Sequence, residues 1–519
     1  MYLTQGIHRA LQQRGDGIAT IFQGRRQTWR SHRDRVARLA AGLRALGVGA
    51  GDRVMLIAHN SDLYIEAVNA IAWAGAVVVP ANFRWTEREH ADALADSDAR
   101  VLIVDAPLGD MGRGLAAELG LSGLVLLQPE RTGTTDGVLS TEDLIDRHRP
   151  IDDQCGRDDA LAGIYYTGGT TGRAKGVMLS HRNLIANVLG VIATTGAPEQ
   201  RVFLHSSPLF HIGGASAALG ITLLGGTHVV LPAFTPEAAV KAIEQEQVTW
   251  ALIVPTMFAM IRDYLAEHPA DLRSVRRIRY GASAISETLL RDAMWLFPNA
   301  EFQQGYGQTE LAAAATVLEP QFHLLASDKP YLRSAGRSLA GTDVRIADEN
   351  LVERPLGQIG EIVVRGPGVM LGYWKQPDLT AATIVDGWLR TGDAGYMDDE
   401  GFVYIADRLK DMIVSGGENV FSAEVENALA AHPKIAECAI IGVPDSKWGE
   451  RVHAIVRFKP GMIADLAELV EHCRIRIAAY KCPRSLEARN APLPLSPQGK
   501  VLKTELRKPY WADSDRQIG

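Results

Sequence analysis

The stretch Tyr165-Tyr166-Thr167-Gly168-Gly169-Thr170-Thr171-Gly172-Arg173-Ala174-Lys175-Gly176 holds the densest chemistry in the chain, with four glycines, three threonines and two cations in twelve positions. Glycine lets a backbone turn tightly and brings several N–H groups to one anion. Threonine hydroxyls add donors, and Lys175 adds a mobile charge. Such a loop can hold a polyphosphate. It is not a Walker loop, which needs a lysine directly after its last glycine and then Ser or Thr. Here Arg173 and Ala174 separate Gly172 from Lys175, and Gly176 follows. Composition alone fits a plain glycine-rich surface loop equally well.

Further strings carry functional groups at short spacing. In Gln303-Gln304-Gly305-Tyr306-Gly307-Gln308-Thr309-Glu310, Tyr306 can pack on a purine, Thr309 can bond a phosphate, and Glu310 can hold Mg²⁺, a hard ion that prefers oxygen. Alone, the string reads as a turn with a helix cap. Asp386-Gly387-Trp388-Leu389-Arg390-Thr391-Gly392-Asp393 reads as a loop ending in a carboxylate. Pro208-Leu209-Phe210-His211 leads into Gly213-Gly214, and a lone His beside an aromatic is by default structural. The strand-like Ile278-Arg279-Tyr280 runs into the small residues Gly281-Ala282-Ser283-Ala284, with Ser286 as a helix cap. Asp407-Arg408-Leu409-Lys410-Asp411, Ser415-Gly416-Gly417 and the late Ser496-Pro497-Gln498-Gly499-Lys500 read as charged or polar surface turns.

Taken together and in this order, the strings resemble those of the adenylate-forming (AMP-binding) superfamily, in particular its acyl-CoA synthetase and fatty-acid–CoA ligase branch. The first loop departs mildly from the usual form, with Gly168 for Ser and Ala174 for Pro. The resemblance covers nearly the whole chain. It implies an α/β fold: a large N-terminal domain of two α/β subdomains plus a distorted β-barrel, residues 1–409, and a small mobile α+β C-terminal lid, residues 410–519, hinged at Lys410. It implies ATP and AMP binding by Thr167, Gly168, Gly169, Thr170, Thr171, Gly172, Gly281, Ala282, Ser283, Gln304, Gly305, Tyr306, Gly307, Asp393 and Arg408. Lys500, Lys175, Thr309 and Glu310 become the catalytic set, Glu310 holding the Mg²⁺ of Mg·ATP. His211, Gly213, Gly281, Ala282 and Gly305 would line the acyl site, and His211, Ser415, Gly416, Gly417, Tyr480 and Lys481 would meet CoA, the co-substrate.

The implied reaction joins a carboxylic acid to AMP and then transfers the acyl group to the CoA thiol. Amino-acid adenylating relatives usually carry Asp where His211 stands, so the resemblance favours an acid without an α-amino group, and the small residues Gly213, Gly214, Ala215, Gly281, Ala282 and Ala284 suit a roomy, apolar, fatty or aryl substrate. Three other readings share the motifs: an adenylating enzyme serving a separate carrier protein, a luciferase-like oxygenase, and a non-catalytic sensor, which would be expected to lack Lys500 or Glu310.

The elements that must position these groups follow from periodicity. Ile18 to Phe22 and Gln27 to Trp29 flank Gly24-Arg25-Arg26 as a hairpin, and Val36 to Leu46 is helical up to Gly47. Val54–Ala58, Ala76–Val79 and Val101–Val104 read as strands alternating with helices at Leu63–Trp73 and Glu87–Leu94, which argues for a parallel sheet covered on both faces. Residues 107–159 read as connection with one short strand, and Asn183 to Leu189 as helix. Past the joint, helices at Val425–Leu429 and Leu466–Ile477 and strands at Glu437–Gly442 and Val452–Phe458 form the small domain. A chain of 519 residues with 46% hydrophobic and 22% charged residues is ordinary for a globular protein of more than one domain. The net charge of −7, without a basic tract, argues against nucleic acid as a partner. Four unpaired-looking cysteines suit a reducing cytoplasm, and neither a signal peptide nor an apolar run long enough for a membrane span is visible. The expected partners are therefore the small-molecule acid, ATP and CoA, with a homodimer as a permitted assembly.

Overall fold

The structure is a computed structural model and describes residues 1–132, 138–167, 174–281, 285, 287–324, 330–408, 411–415, 418–445, 448–495 and 501–511. Among these residues four sheets organise the chain. In the first, eight strands run in the order Gly372–Tyr373, Lys175–Ser180, Leu161–Thr167, Val77–Ala81, Arg53–Ile57, Val101–Asp105, Gly123–Leu127 and Leu139–Ser140. Its centre is parallel and nearly all apolar because both faces are covered. Val54, Leu56, Val78 and Ile103 enter one core, and their neighbours Met55, Ile57, Val77, Val79 and Leu102 enter another on the opposite face, as the two-residue period requires.

The second sheet has nine strands, in the order Arg337–Ser338, Thr316–Leu318, Glu301–Tyr306, Arg277–Gly281, Trp250–Leu252, Val202–His205, Thr227–Val230, Ile18–Phe22 and Arg25–Thr28. Ile278, Tyr280 and Phe302 pack one face of it against the helices Pro255–Glu267 and Glu287–Leu296, whose Phe258, Leu290 and Ala293 share that core. The other face meets the helices His181–Thr195 and Ile212–Leu224. A third sheet, Asp343–Ala347, Gly360–Arg365, Trp388–Met397 and Ile384–Val385, with Val403–Arg408 paired to Trp388–Met397, supplies the barrel-like part. The fourth, smaller layer holds Glu418–Val420, Ile413–Ser415, Gly449–Phe458, Ile435–Asp445 and Ser485–Ala488, against the helices Ser422–Ala430 and Leu466–Arg474.

Three local expectations change. The residues Lys175–Ser180, between the glycine-rich segment and the helix expected from Asn183, form a strand antiparallel to Leu161–Thr167, so the glycine-rich segment joins the two arms of a hairpin. The helix begins at His181, two residues earlier than expected, and Ser180 and Asn183 make a capping box at its start. Residues 107–159 contain the helices Gly109–Leu119 and Thr141–Arg147. The first was obscured by its glycines, of which Gly112 packs so closely on Val104 that a Cβ would lie 2.7 Å from its side chain. The stretch 386–393, expected as a loop, turns at Asp386 and Gly387, both at positive φ (50° and 79°), and then lies in the strand Trp388–Met397, which is irregular where Gly392 takes φ 71° and the pairing register shifts. No described helix is long and apolar enough to cross a membrane.

Candidate active site

The parallel strands Arg277–Gly281 and Glu301–Tyr306 lie side by side, with Gly281 opposite Gly305. Their carboxyl ends open at one edge, where parallel sheets leave a crevice for ligands. The two glycines serve different ends. Gly281 has φ +151°, and a Cβ there would lie 2.3 Å from the Gly305 carbonyl oxygen, so no side chain fits. At Gly305 a Cβ would meet nothing within 4 Å. The face above Gly305 is therefore open space, available to a bound molecule. Alternation puts Arg279, Gly281, Gln303 and Gly305 on that face and Tyr280, Gln304 and Tyr306 on the other. Gly307 is structural: a Cβ there would strike the Ala313 carbonyl at 2.2 Å.

Tyr306 reaches from its strand end to the third sheet, and its hydroxyl donates to Asp393 Oδ2 at 2.7 Å. Asp393 is buried, its backbone N–H donates to Thr391 Oγ1, and it lies directly opposite Arg408 in the strand ladder. A purine on the Tyr306 ring would thus bring its ribose to the Asp393 carboxylate. Beyond Tyr306 the chain makes a single 3-10 turn, Thr309–Leu311, with Thr309 buried and Glu310 partly exposed. The Glu310 carbonyl accepts from the Met370 N–H, and its Oε1 accepts from the Tyr373 hydroxyl at 2.9 Å. Lys175 Nζ stands 5.5 Å from the centre of the Tyr373 ring, within cation–π range. Burial first, and the Glu310 carboxylate second, push the Tyr373 phenol well above its usual pKa, so it stays a donor. Lys175, Tyr373 and Glu310 form a row of cation, neutral donor and anion beside the Thr309 turn. Thr167 faces Lys175 across the mouth of the hairpin.

Glu310 is the residue expected to meet Mg²⁺. Among the described residues its second carboxylate oxygen has no hydrogen-bond partner, and no group of three or more His, Cys, Asp or Glu could cage an ion. One free carboxylate oxygen suits Mg²⁺ that arrives on ATP phosphates and keeps its waters, rather than a resident protein cage.

Two supporting groups escaped the sequence reading. Asn187 donates to the Leu311 and Ala314 carbonyls at 3.0 and 2.6 Å and accepts from the Ala314 N–H, clamping the far end of the Thr309 turn, where Ala312 and Ala313 are held at positive φ. Asn183, one helical turn earlier, bonds the Pro367 and Val369 carbonyls at 2.8 Å. Two amides four apart on an otherwise apolar helix were the available signal. Tyr373 carried none, because its role depends on a two-residue edge strand paired with Val177 and Met178.

Between the helices His181–Thr195 and Ile212–Leu224 lies a recess lined by Val188, Val191, Phe203, Ala217, Ile221 and Trp250, with Asn187 and Ser216 as polar members. A second, larger cavity, lined by Tyr64, Val68, Tyr165, Leu184 and Leu219, lies on the other side of the Ile212–Leu224 helix, and neither cavity has Gly281 or Gly305 in its lining. Only the smaller one touches the strand bearing Gly281, through Arg279. His211 caps the Ile212–Leu224 helix, its Nδ1 accepting from the Gly213 N–H at 3.2 Å. Gly214 is packing: a Cβ would lie 2.2 Å from the Pro208 oxygen.

The family model for AMP-binding enzymes matches residues 7–374, and that for the AMP-binding enzyme C-terminal domain matches residues 424–500. The chain belongs to the AMP-binding enzyme family. Its relatives put it in the acyl-CoA synthetase branch, the acid–thiol ligases. It is 41% identical over 481 residues to a feruloyl-CoA synthase of Amycolatopsis sp., covering 92% of each chain. It is 35% identical to the fatty acid–[acyl-carrier-protein] ligase ScoC of Streptomyces coeruleorubidus, over 96% of this chain and 95% of the other. Among solved structures it resembles the o-succinylbenzoate CoA synthetase MenE of Bacillus subtilis in complex with the acyl-adenylate intermediate OSB-AMP, with TM-score 0.84 and 29% identity over 99% of this chain and 98% of that one.

Of the residues the AMP-binding resemblance singled out, the structure brings together Gly281, Gly305, Tyr306, Thr309, Glu310, Lys175 and Asp393 around the strand ends. Of the residues expected to meet CoA, Ser415, Tyr480 and Lys481 belong to the smaller layer, whereas His211 caps the Ile212–Leu224 helix. Ser415 is buried, Tyr480 is exposed, and Lys481 is held by both oxygens of Glu424 at 2.7 Å. Gly168 to Gly172, Ala282, Ser283, Ala284, Ser286, Lys410, Gly416, Gly417 and Lys500 lie outside the described residues.

Proposed function

We propose that this AMP-binding enzyme activates a carboxylic acid with a largely apolar body as its acyl-adenylate and transfers the acyl group to the thiol of CoA. The observation that carries the reading is the Lys175–Tyr373–Glu310 row set beside the Tyr306–Asp393 pair. A nucleoside held at Tyr306 and Asp393 would have its phosphates beside that row, and the acid would enter over Gly305. In the first step a carboxylate oxygen bonds to the α-phosphorus and pyrophosphate leaves. The anions crowd together, so cations must offset the charge. Lys175 and Lys500 would provide it, Mg²⁺ on Glu310 would screen the phosphates, and the Tyr373 hydroxyl would fix the Glu310 carboxylate. In the second step the CoA sulfur attacks the acyl carbonyl, the thiol proton is lost, and AMP leaves. A lid formed by residues 410–519, turning about Lys410, would exchange the two steps, with His211, Ser415 to Gly417, Tyr480 and Lys481 along the CoA path.

The similarity to a carrier-protein ligase supports a second acceptor, the phosphopantetheine thiol of a separate carrier. The deciding experiment is AMP release from ATP and a panel of fatty, aryl and amino acids, with CoA or a loaded carrier as acceptor. CoA-dependent release with fatty or aryl acids supports the reading. Pyrophosphate exchange stimulated by amino acids alone would sink it.

A further inference from the structure

The recess between the helices His181–Thr195 and Ile212–Leu224 is mostly apolar, with Asn187, Ser216 and Arg279 as its polar lining. Arg279 lines it and, among the described residues, makes no hydrogen bond and no ion pair. Its contacts of note are the Trp250 ring, whose centre lies 5.8 Å from the guanidinium carbon, and Arg277, a like charge that is itself bonded to Glu301. Burial, with Arg277 adding, lowers the Arg279 pKa only to about 10, so it remains a cation at neutral pH. Trp250 also lines the recess. It is 4% exposed, and its indole N–H has no partner. On the next strand Gln303 stands directly opposite Arg279, on the same face, fully buried, with neither amide atom bonded.

Buried donors are almost always bonded. Among the described residues the buried Trp250 indole N–H and Gln303 amide share one face of the sheet without hydrogen-bond partners, beside the partly exposed Arg279 guanidinium, which has no counter-ion. Two residues along the same strand, about 7 Å away at strand rise, is Gly281 with the open space of Gly305 beside it. An acid activated at the strand ends would extend its body over Gly305 and bring its far end to this face.

Resting on the ligase reading above, we infer that Arg279, with the Trp250 indole N–H and the Gln303 amide, forms a distal subsite that selects acids carrying a second oxygen acceptor at the end remote from the activated carboxylate. A second carboxylate or a phenolic oxygen would satisfy it. A hydrocarbon terminus would leave all three groups unpaired. Sites built to bond a polar group reject analogues that lack it far more strongly than apolar pockets reject an extra methylene.

The test uses the full-length enzyme, ATP and CoA with matched acids: 4-methyl-, 4-hydroxy- and 4-carboxycinnamate, and octanoate against octanedioate. The expected result is a kcat/KM at least tenfold higher for an acceptor-bearing acid than for its hydrocarbon partner. Arg279→Met should abolish that preference by lowering the acceptor acid at least tenfold while leaving the hydrocarbon acid unchanged or improved. Arg279→Lys should restore part of the preference for the carboxylate arm, and Trp250→Phe, which keeps the ring and removes only the N–H, should weaken it several-fold. The arm that responds most distinguishes an anionic from a neutral acceptor. Equal or better turnover of the hydrocarbon acids by the wild type, or an equal loss on both arms in Arg279→Met, overturns the inference and leaves the ligase reading standing. If the variant does not fold, the wild-type panel and Trp250→Phe decide. If none of the acids supports CoA-dependent AMP release, the ligase reading fails and this subsite fails with it.

Discussion

On the nucleotide side of the Gly281–Gly305 strand pair, Tyr306 is already bonded to Asp393 and Tyr373 to Glu310. On the recess side, among the described residues, Arg279 makes no ion pair and the Trp250 indole and Gln303 amide make no hydrogen bond. On the proposed reading the first side would take the nucleotide, and its groups are already held by bonds within the protein. The second is built from what the ligand must complete. Preorganised donors lower a barrier because little reorganisation remains at the moment of reaction, whereas unpaired ones discriminate between ligands. Rate should therefore respond to changes on one side and choice of acid to changes on the other.

The strongest way to break this division is Lys500→Ala. Losing a cation where two anions meet should cost on the order of 3 kcal/mol or more, roughly a hundredfold in rate, and by the same factor for every acid. Acyl-AMP supplied from outside should still be converted to acyl-CoA. Lys410→Pro should do the reverse, making acyl-AMP but transferring it poorly, because a proline there would hinder the lid. Equal losses of both half-reactions in both variants would remove the moving lid from the account.

A glycine pair sharpens the comparison next. Gly281→Ala forces a Cβ to 2.3 Å from a backbone oxygen at φ +151°, and should destabilise the fold by about 3 kcal/mol, read as a lower urea midpoint. Gly305→Ala meets open space and should leave that midpoint nearly unchanged while raising KM for bulky acids. Similar midpoints for both variants would mean that Gly281 is not constrained as described.

The buried histidines His205 and His32 should make stability respond to acid. His205, whose ring lies 4.7 Å from that of Phe203, donates to or accepts from His228, and burial lowers its pKa to about 3. His32, beside Trp29, is lowered to about 4 by burial and then by Arg35, with Asp62 acting in the opposite sense. A histidine whose folded pKa lies below its unfolded value contributes full stability above about pH 6.5 and loses it as pH falls, since the unfolded chain then binds the extra proton. At pH 5 each should have cost about 2 kcal/mol relative to pH 7. Urea midpoints at the two pH values check this, and His205→Gln should shrink the difference. Identical midpoints would show that these rings are not buried neutral.

Tyr373→Phe is the smallest change. It removes one hydrogen bond to Glu310, whose net value is about 1 kcal/mol, so kcat should fall about fivefold with the acid preference untouched. A shift in acid preference would place Tyr373 on the wrong side of the division.

The contrast between the two sides also explains what could be read from the chain. The strings proposed for the nucleotide stand out in the sequence because phosphate, ribose and metal would constrain short, contiguous runs. Gly281, Gly305, Tyr306, Thr309, Glu310 and Asp393 each sit in a run whose neighbours reinforce it. The alternation of Val54–Ala58, Val101–Val104 and the intervening helices likewise announced a covered parallel sheet, since burial on both faces demands unbroken apolar strands. The tertiary structure alone decided the rest. Tyr373 gained its place from edge pairing with Val177 and Met178, and the strand Lys175–Ser180 formed because Leu161–Thr167 offered it a partner. Arg279, Trp250 and Gln303 come from three strands, with no shared spacing, and look like ordinary strand residues in sequence. Only the register of those strands puts them on one face, and only the packing of two helices leaves that face without bonding partners. Strings record what a local backbone must bond, whereas a recess is a property of surfaces that meet after folding.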